Sequence, residues 1–202
     1  MSTFNLTGAL ETLMDDIVSR VEQFSHIDGS RVMLCVTTTR GGGVQGMYAK
    51  IHPLRFPGGM RTREVRRGRR RYSCTMPLVC QRGVEQLYII YFLVPRFFNL
   101  SLREKLITIF HELYHISPAF DGDIRRFPGR NYAHGSSRKA YNSRMAELVD
   151  AYLQQVAPGS LPDFLGHDMA SLRTGYRVLV GRKYPAPKVE VRATGDVKNN
   201  GV

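Results

Sequence analysis

The sequence predicts an α+β fold, and three observations carry that prediction. A stretch near the amino terminus repeats apolar residues at helical spacing. Several short runs are rich in β-branched and aromatic residues and are bounded by glycine or proline. A second helix carries its own start signal, Ser101 followed by Glu104.

In chain order, Leu6, Leu10, Leu13, Ile17, Val18, Val21 and Phe24 recur every three or four residues, so residues 6–24 form an amphipathic packing helix. Residues 31–39 form a strand that stops at Gly41-Gly42-Gly43, and residues 44–54 form another; a hairpin is the simple reading of the pair. Residues 56–72 hold seven arginines with glycines and a proline and lack either period, which predicts an exposed, mobile loop. Two further strands are expected over 72–79 and 86–94. The second is apolar on both faces, as a well-covered strand must be, and Pro95 ends it.

Ser101 and Glu104 place a helix start at Leu102, with Leu102, Leu106, Ile109, Phe110, Leu113 and Ile116 facing the core and an end near Pro118. Ser136 or Ser137 caps a further helix to about Val156, with Met145, Leu148, Val149 and Tyr152 on its apolar side. A short helical stretch from Leu161 and a strand over 176–180 follow. Residues 1–192 read as a single domain, with the motif region at 86–157, and residues 193–202 as a disordered tail without a packing pattern.

With 202 residues and 43% hydrophobic content, the chain suits one compact core. Its longest apolar run fits a buried strand, not a membrane span, and the amino terminus lacks a basic segment followed by an apolar one, so no membrane association and a cytoplasmic location are expected. Cys35, Cys74 and Cys80 are an odd, sparse set and read as reduced thiols. The five residues between Cys74 and Cys80 exceed the roughly two to four usual between paired zinc-binding cysteines, so both are expected as buried strand thiols. A formal charge of +12 implies a polyanionic partner or surface.

The chemistry concentrates at His111-Glu112-Leu113-Tyr114-His115. Histidines four apart on a helix share a face and can meet one ion, while the intervening glutamate reaches a water on that ion without ligating it. Burying two histidines and a glutamate on a mostly apolar helix is costly unless they are bonded or metallated. One Zn²⁺ per chain is therefore expected, with Glu112 as general base. A catalytic zinc takes a third protein ligand, and His134, Asp121 and Glu147 are the alternatives. Tyr132 and Tyr141 are candidate oxyanion partners; His26, His52 and His167 read as surface or loop residues.

The segment HELYHISPAFDGDIRRFPGRNYAHG resembles the zincin-type metallopeptidases of bacteria and phages, related in pattern to SprT-like proteases. That resemblance implies a zincin-like fold, a twisted, mostly antiparallel sheet packed on the active-site helix with flanking helices. It further implies His111, His115 and His134 as metal ligands, Glu112 as catalytic base, and a peptide or protein substrate. The chain lacks the paired-cysteine zinc ribbon that many SprT-like proteins carry for DNA contact. Two other readings remain: a nucleic-acid-binding protein with a structural or inactive zinc site, and a zinc amidase with Cys74 or Cys80 as third ligand. Non-specific nucleic-acid contact through Arg66, Arg67, Arg69, Arg70 and Arg71 is expected from their crowding.

Overall fold

The computed structural model describes residues 2–39, 46–128 and 138–196. Strand β1 (Thr3–Asn5) runs straight into α1 (Leu6–Arg20), whose first turn is closed by the Asn5 side chain accepting from the Gly8 N–H. Strands β2 (Val32–Thr38), β3 (Ala49–Pro53), β4 (Thr62–Arg67), β5 (Arg70–Thr75), β6 (Cys80–Gln81), β7 (Val84–Glu85) and β8 (Tyr88–Val94) follow. Then come α2 (Leu102–Tyr114), α3 (Arg138–Gln155), α4 (Met169–Gly175), β9 (Val178–Val180) and β10 (Glu190–Asp196). Among the described residues, four of the six strand pairings are antiparallel, and the α+β class is as expected, compatible with a zincin-like arrangement.

The hairpin expected from β2 and β3 does not form. Strand β8 lies between them, parallel to β2 and antiparallel to β3. The reason is in β8 itself: all seven residues of YIIYFLV are buried, so this strand needs neighbours on both edges and cover on both faces. Strand alternation then divides the sheet into two cores. Leu34, Val36, Tyr88, Ile90 and Phe92 face the helices, while Met33, Cys35, Ile89 and Tyr91 pack with Leu54 and Val79 on the other side. Each fully buried side chain of this kind contributes about 1.5–3 kcal/mol.

Helix α2 is held in register by its amino-terminal box: Ser101 accepts from the Glu104 N–H at 3.3 Å, and Glu104 accepts from the Ser101 N–H at 3.1 Å. Leu106, Ile109, Phe110 and Leu113 enter the main core, where Phe110 meets the rings of Phe24 and Tyr152 at 5.4 and 5.7 Å. Lys105, 1% exposed, donates to the carbonyls of Leu165 and His167 and so fastens α2 to the turn after α3. The helix is one turn shorter than expected, since His115 is its C-cap rather than an interior residue.

The arginine-rich segment is also not the loop that was expected. Residues 62–75 form a β-hairpin, turned at Gly68-Arg69, where Gly68 takes φ +60° as the first central residue of a type II′ turn requires. Strand β10 adds to its β5 edge and carries pairing past Arg192 into the stretch expected as a tail. The segment has no apolar alternation because this small sheet is largely exposed and pairs through its backbone. Of the cysteines, Cys35 is buried, Cys74 half-buried and Cys80 exposed, so burial of the latter two is corrected; all three are free thiols. Helix α4 falls within the helical stretch expected from Leu161, whereas the short strand β1 was not expected. Among the described residues, no helix is long and apolar enough to cross a membrane.

Candidate metal centre

Along α2, Glu104, Thr108, His111 and His115 form a single stripe at helical spacing, on the side away from the core. The stripe forms one wall of a cleft of about 710 Å³. The opposite wall is Tyr48, Ala49, Lys50 and Ile51, the start of β3 and the residue before it. Strand β3 is an edge of its sheet: among the described residues it pairs only with β8.

The two imidazoles converge, with His111 Nε2 and His115 Nε2 3.0 Å apart. Two nitrogens bound at about 2.05 Å to one tetrahedral zinc lie about 3.3 Å from each other, so the pair fits a shared cation with little movement. His115 is 8% exposed and Glu112 6%, placing the carboxylate beneath the cleft floor. Burial raises the Glu112 carboxyl to about 7, opposed by a hydrogen bond from the Ile51 backbone. A buried carboxyl held by the edge strand and flanked by two histidines has the proton affinity of a general base working near neutrality.

Tyr141, from α3, joins them. Its ring stacks on His115 at 5.6 Å and meets His111 edge-on at 4.9 Å, while its hydroxyl lies 3.4 Å from the His111 carbonyl. Burial, with Glu112 nearby, pushes its phenol upward, so it stays protonated. Sequence alone gave Tyr141 no more weight than Tyr132, which lies outside the described residues. The available signal was helical: Tyr141, Met145, Val149 and Tyr152 share one stripe of α3 and are all buried.

His134 lies outside the described residues. Among those described, no group of three His, Cys, Asp or Glu is placed to hold a metal, so Asp121 and Glu147 do not join the histidine pair. The turn after α2 explains Asp121 and Asp123. Asp121 Oδ1 accepts from the Asp123 N–H at 3.1 Å, and the Asp123 carboxylate takes a two-pronged contact from Arg126 at 2.9 and 3.0 Å. The chain then returns beside the motif, Arg125 N–H donating to the His115 carbonyl at 2.7 Å. Cys74 sits in the small exposed sheet and Cys80 in a two-residue strand, and neither is grouped with the histidines. His26 and His52 are half-buried, their charged forms disfavoured by burial, and His52 belongs to β3 instead of a loop.

No curated protein and no solved structure matches the chain. One protein-family model does, described as a putative phage metallopeptidase, over residues 4–151, a span running from β1 through the cleft to most of α3. By that match, and in keeping with the paired histidines and buried glutamate beside an edge strand, the chain belongs to the phage metallopeptidase family.

Proposed function

We propose that this protein hydrolyses peptide bonds with one Zn²⁺ held by His111, His115 and His134, and with Glu112 as general base. The observation that carries the reading is the 3.0 Å approach of the two imidazole Nε2 atoms directly beside a buried carboxyl of raised pKa. Zinc, when bound there, supplies a water of lowered pKa and a positive charge for the scissile carbonyl. Glu112 takes the proton from the attacking water and delivers it to the departing amine. Strand β3, with one edge unpaired among the described residues and lining the cleft, suits an extended peptide added as a further strand. The Ile51 N–H already points from that strand toward Glu112, so substrate backbone and base would lie together.

The test is metal content. Purified chain is expected to hold one zinc, and His111→Ala or His115→Ala to lose it, each deleting a ligand. His134→Ala is expected to do the same, whereas Asp121→Ala and Glu147→Ala keep the metal. Stoichiometric zinc in both His111→Ala and His115→Ala overturns the site.

A further inference from the structure

The hairpin of β4 and β5, with β10 alongside it, carries a dense cluster of exposed arginines that takes no part in the cleft. The pairing register decides which side chains share a face. Arg63, Val65 and Arg67 pair with Cys74, Tyr72 and Arg70, so one face carries three arginines around a half-buried Tyr72. Arg66 pairs with Arg71 on the opposite face. Arg69 occupies the turn itself. All six arginines are exposed.

Among the described residues, carboxylates are fewer than arginines along this sheet. Glu64 pairs with Ser73 and Glu190 with Thr75, both toward the base of the sheet, and Glu190 is engaged at 3.7 Å by Arg192. Asp196 alone lies opposite Arg70 near the turn end. Among the described residues, none of Arg63, Arg67, Arg69 and Arg71 has an ion-pair partner. Directly opposed like charges on neighbouring strands destabilise a hairpin, so the Arg66–Arg71 pair works against the fold that contains it. An anionic partner would relieve that cost.

The distribution over two faces and a tip selects the partner. A flat anionic surface, such as a bilayer, engages one face and leaves the other's arginines in water. A duplex presents phosphates along both walls of each groove, within reach of an arm that carries arginines on two faces and at its tip. We propose that the β4–β5 arm binds duplex nucleic acid without sequence preference, entering a groove with Arg63, Arg67 and Arg70 toward one phosphate wall, Arg66 and Arg71 toward the other, and Arg69 leading. Its contacts are to phosphates, which position a protein but do not read sequence. This surface is separate from the peptidase reading and does not depend on it.

The experiment is fluorescence anisotropy with a labelled duplex over a range of salt, with anionic phospholipid vesicles tested by flotation in parallel. Six phosphate contacts predict an affinity that falls roughly a thousandfold between about 50 and about 200 mM salt. The triple variant Arg63→Ser, Arg67→Ser, Arg70→Ser and the double variant Arg66→Ser, Arg71→Ser are each expected to weaken binding. Each should flatten the logarithmic salt slope by roughly 0.9 per arginine removed. Lysine at the same positions keeps the charge and should keep most of the slope. Loss of binding in only one of the two serine variants, with the other unchanged, rejects entry into a groove. A wild-type slope shallower than about three phosphates' worth overturns the proposal whatever the variants do, and so does vesicle binding without duplex binding. Zinc content serves as the control: it should be the same in all variants, so failure of this surface and failure of the metal site are distinguishable.

Discussion

Tyr141 shows how the site depends on a residue from another helix. Its ring covers both histidines, so it fixes imidazole orientation by packing, and its hydroxyl lies 3.4 Å from the His111 carbonyl, which also accepts from the His115 N–H. Tyr141→Phe keeps that ring and is therefore expected to bind zinc like the wild type. Tyr141→Leu loses the flat ring and is expected to weaken zinc binding about 10- to 100-fold, the usual cost of removing a group that orients metal ligands. Chelator competition measures the affinity, and turnover at saturating zinc measures the rest. A Phe variant with intact zinc but little turnover would show that the hydroxyl acts on substrate. The histidines and Glu112 were legible in the sequence because one helix carries all three at fixed spacing. Tyr141 was not, since its contact with them spans about thirty residues and depends on how α3 crosses α2.

Among elements, α2 matters most, and its start is set by two side chains. Ser101 hydrogen-bonds to Glu104 through side chain and backbone, and these bonds hold the Glu104 carboxyl below its ordinary value of 4.5. Ser101→Ala is expected to cost about 1 kcal/mol at neutral pH, measured by urea unfolding. The sign of the pH dependence follows from the depressed pKa. The ionised glutamate's contribution is fully present above about pH 4.5 and is lost as pH falls through its lower folded value, so wild type and variant should converge in acid. A difference that grows on acidification would contradict this account of the cap. Caps were readable in the sequence because they are local. Strand partnership was not: β2 and β3 follow each other in the chain, yet both pair with β8, about forty to sixty residues away, because β8, buried along its whole length, takes the centre of the sheet and needs a neighbour on each edge. The arginine hairpin escaped for the converse reason, having no buried face to impose a pattern.

At the scale of the whole molecule, the fold brings a helix stripe and a sheet edge to opposite sides of one cleft and leaves a charged arm apart from it. The core explains how. Phe110 and its neighbours anchor the inner side of α2, Lys105 ties the helix to the turn at 163–167, and β8 carries β3 to the cleft. The outer side of α2 is then free to present His111 and His115 beside Glu112. The α+β class and the motif helix could be read from periodicity and caps, whereas the cleft could not, because its second wall comes from a strand some sixty residues before the motif. The central claim is that Glu112 does chemistry at this site instead of holding the metal or the fold. The most direct measurement is peptide hydrolysis by Glu112→Gln against wild type, at equal zinc content and equal unfolding midpoint. The amide fills the same space but cannot take a proton, so turnover is predicted to fall by about 10²- to 10⁴-fold with one zinc retained per chain. Turnover equal to wild type in that zinc-loaded variant would contradict the account.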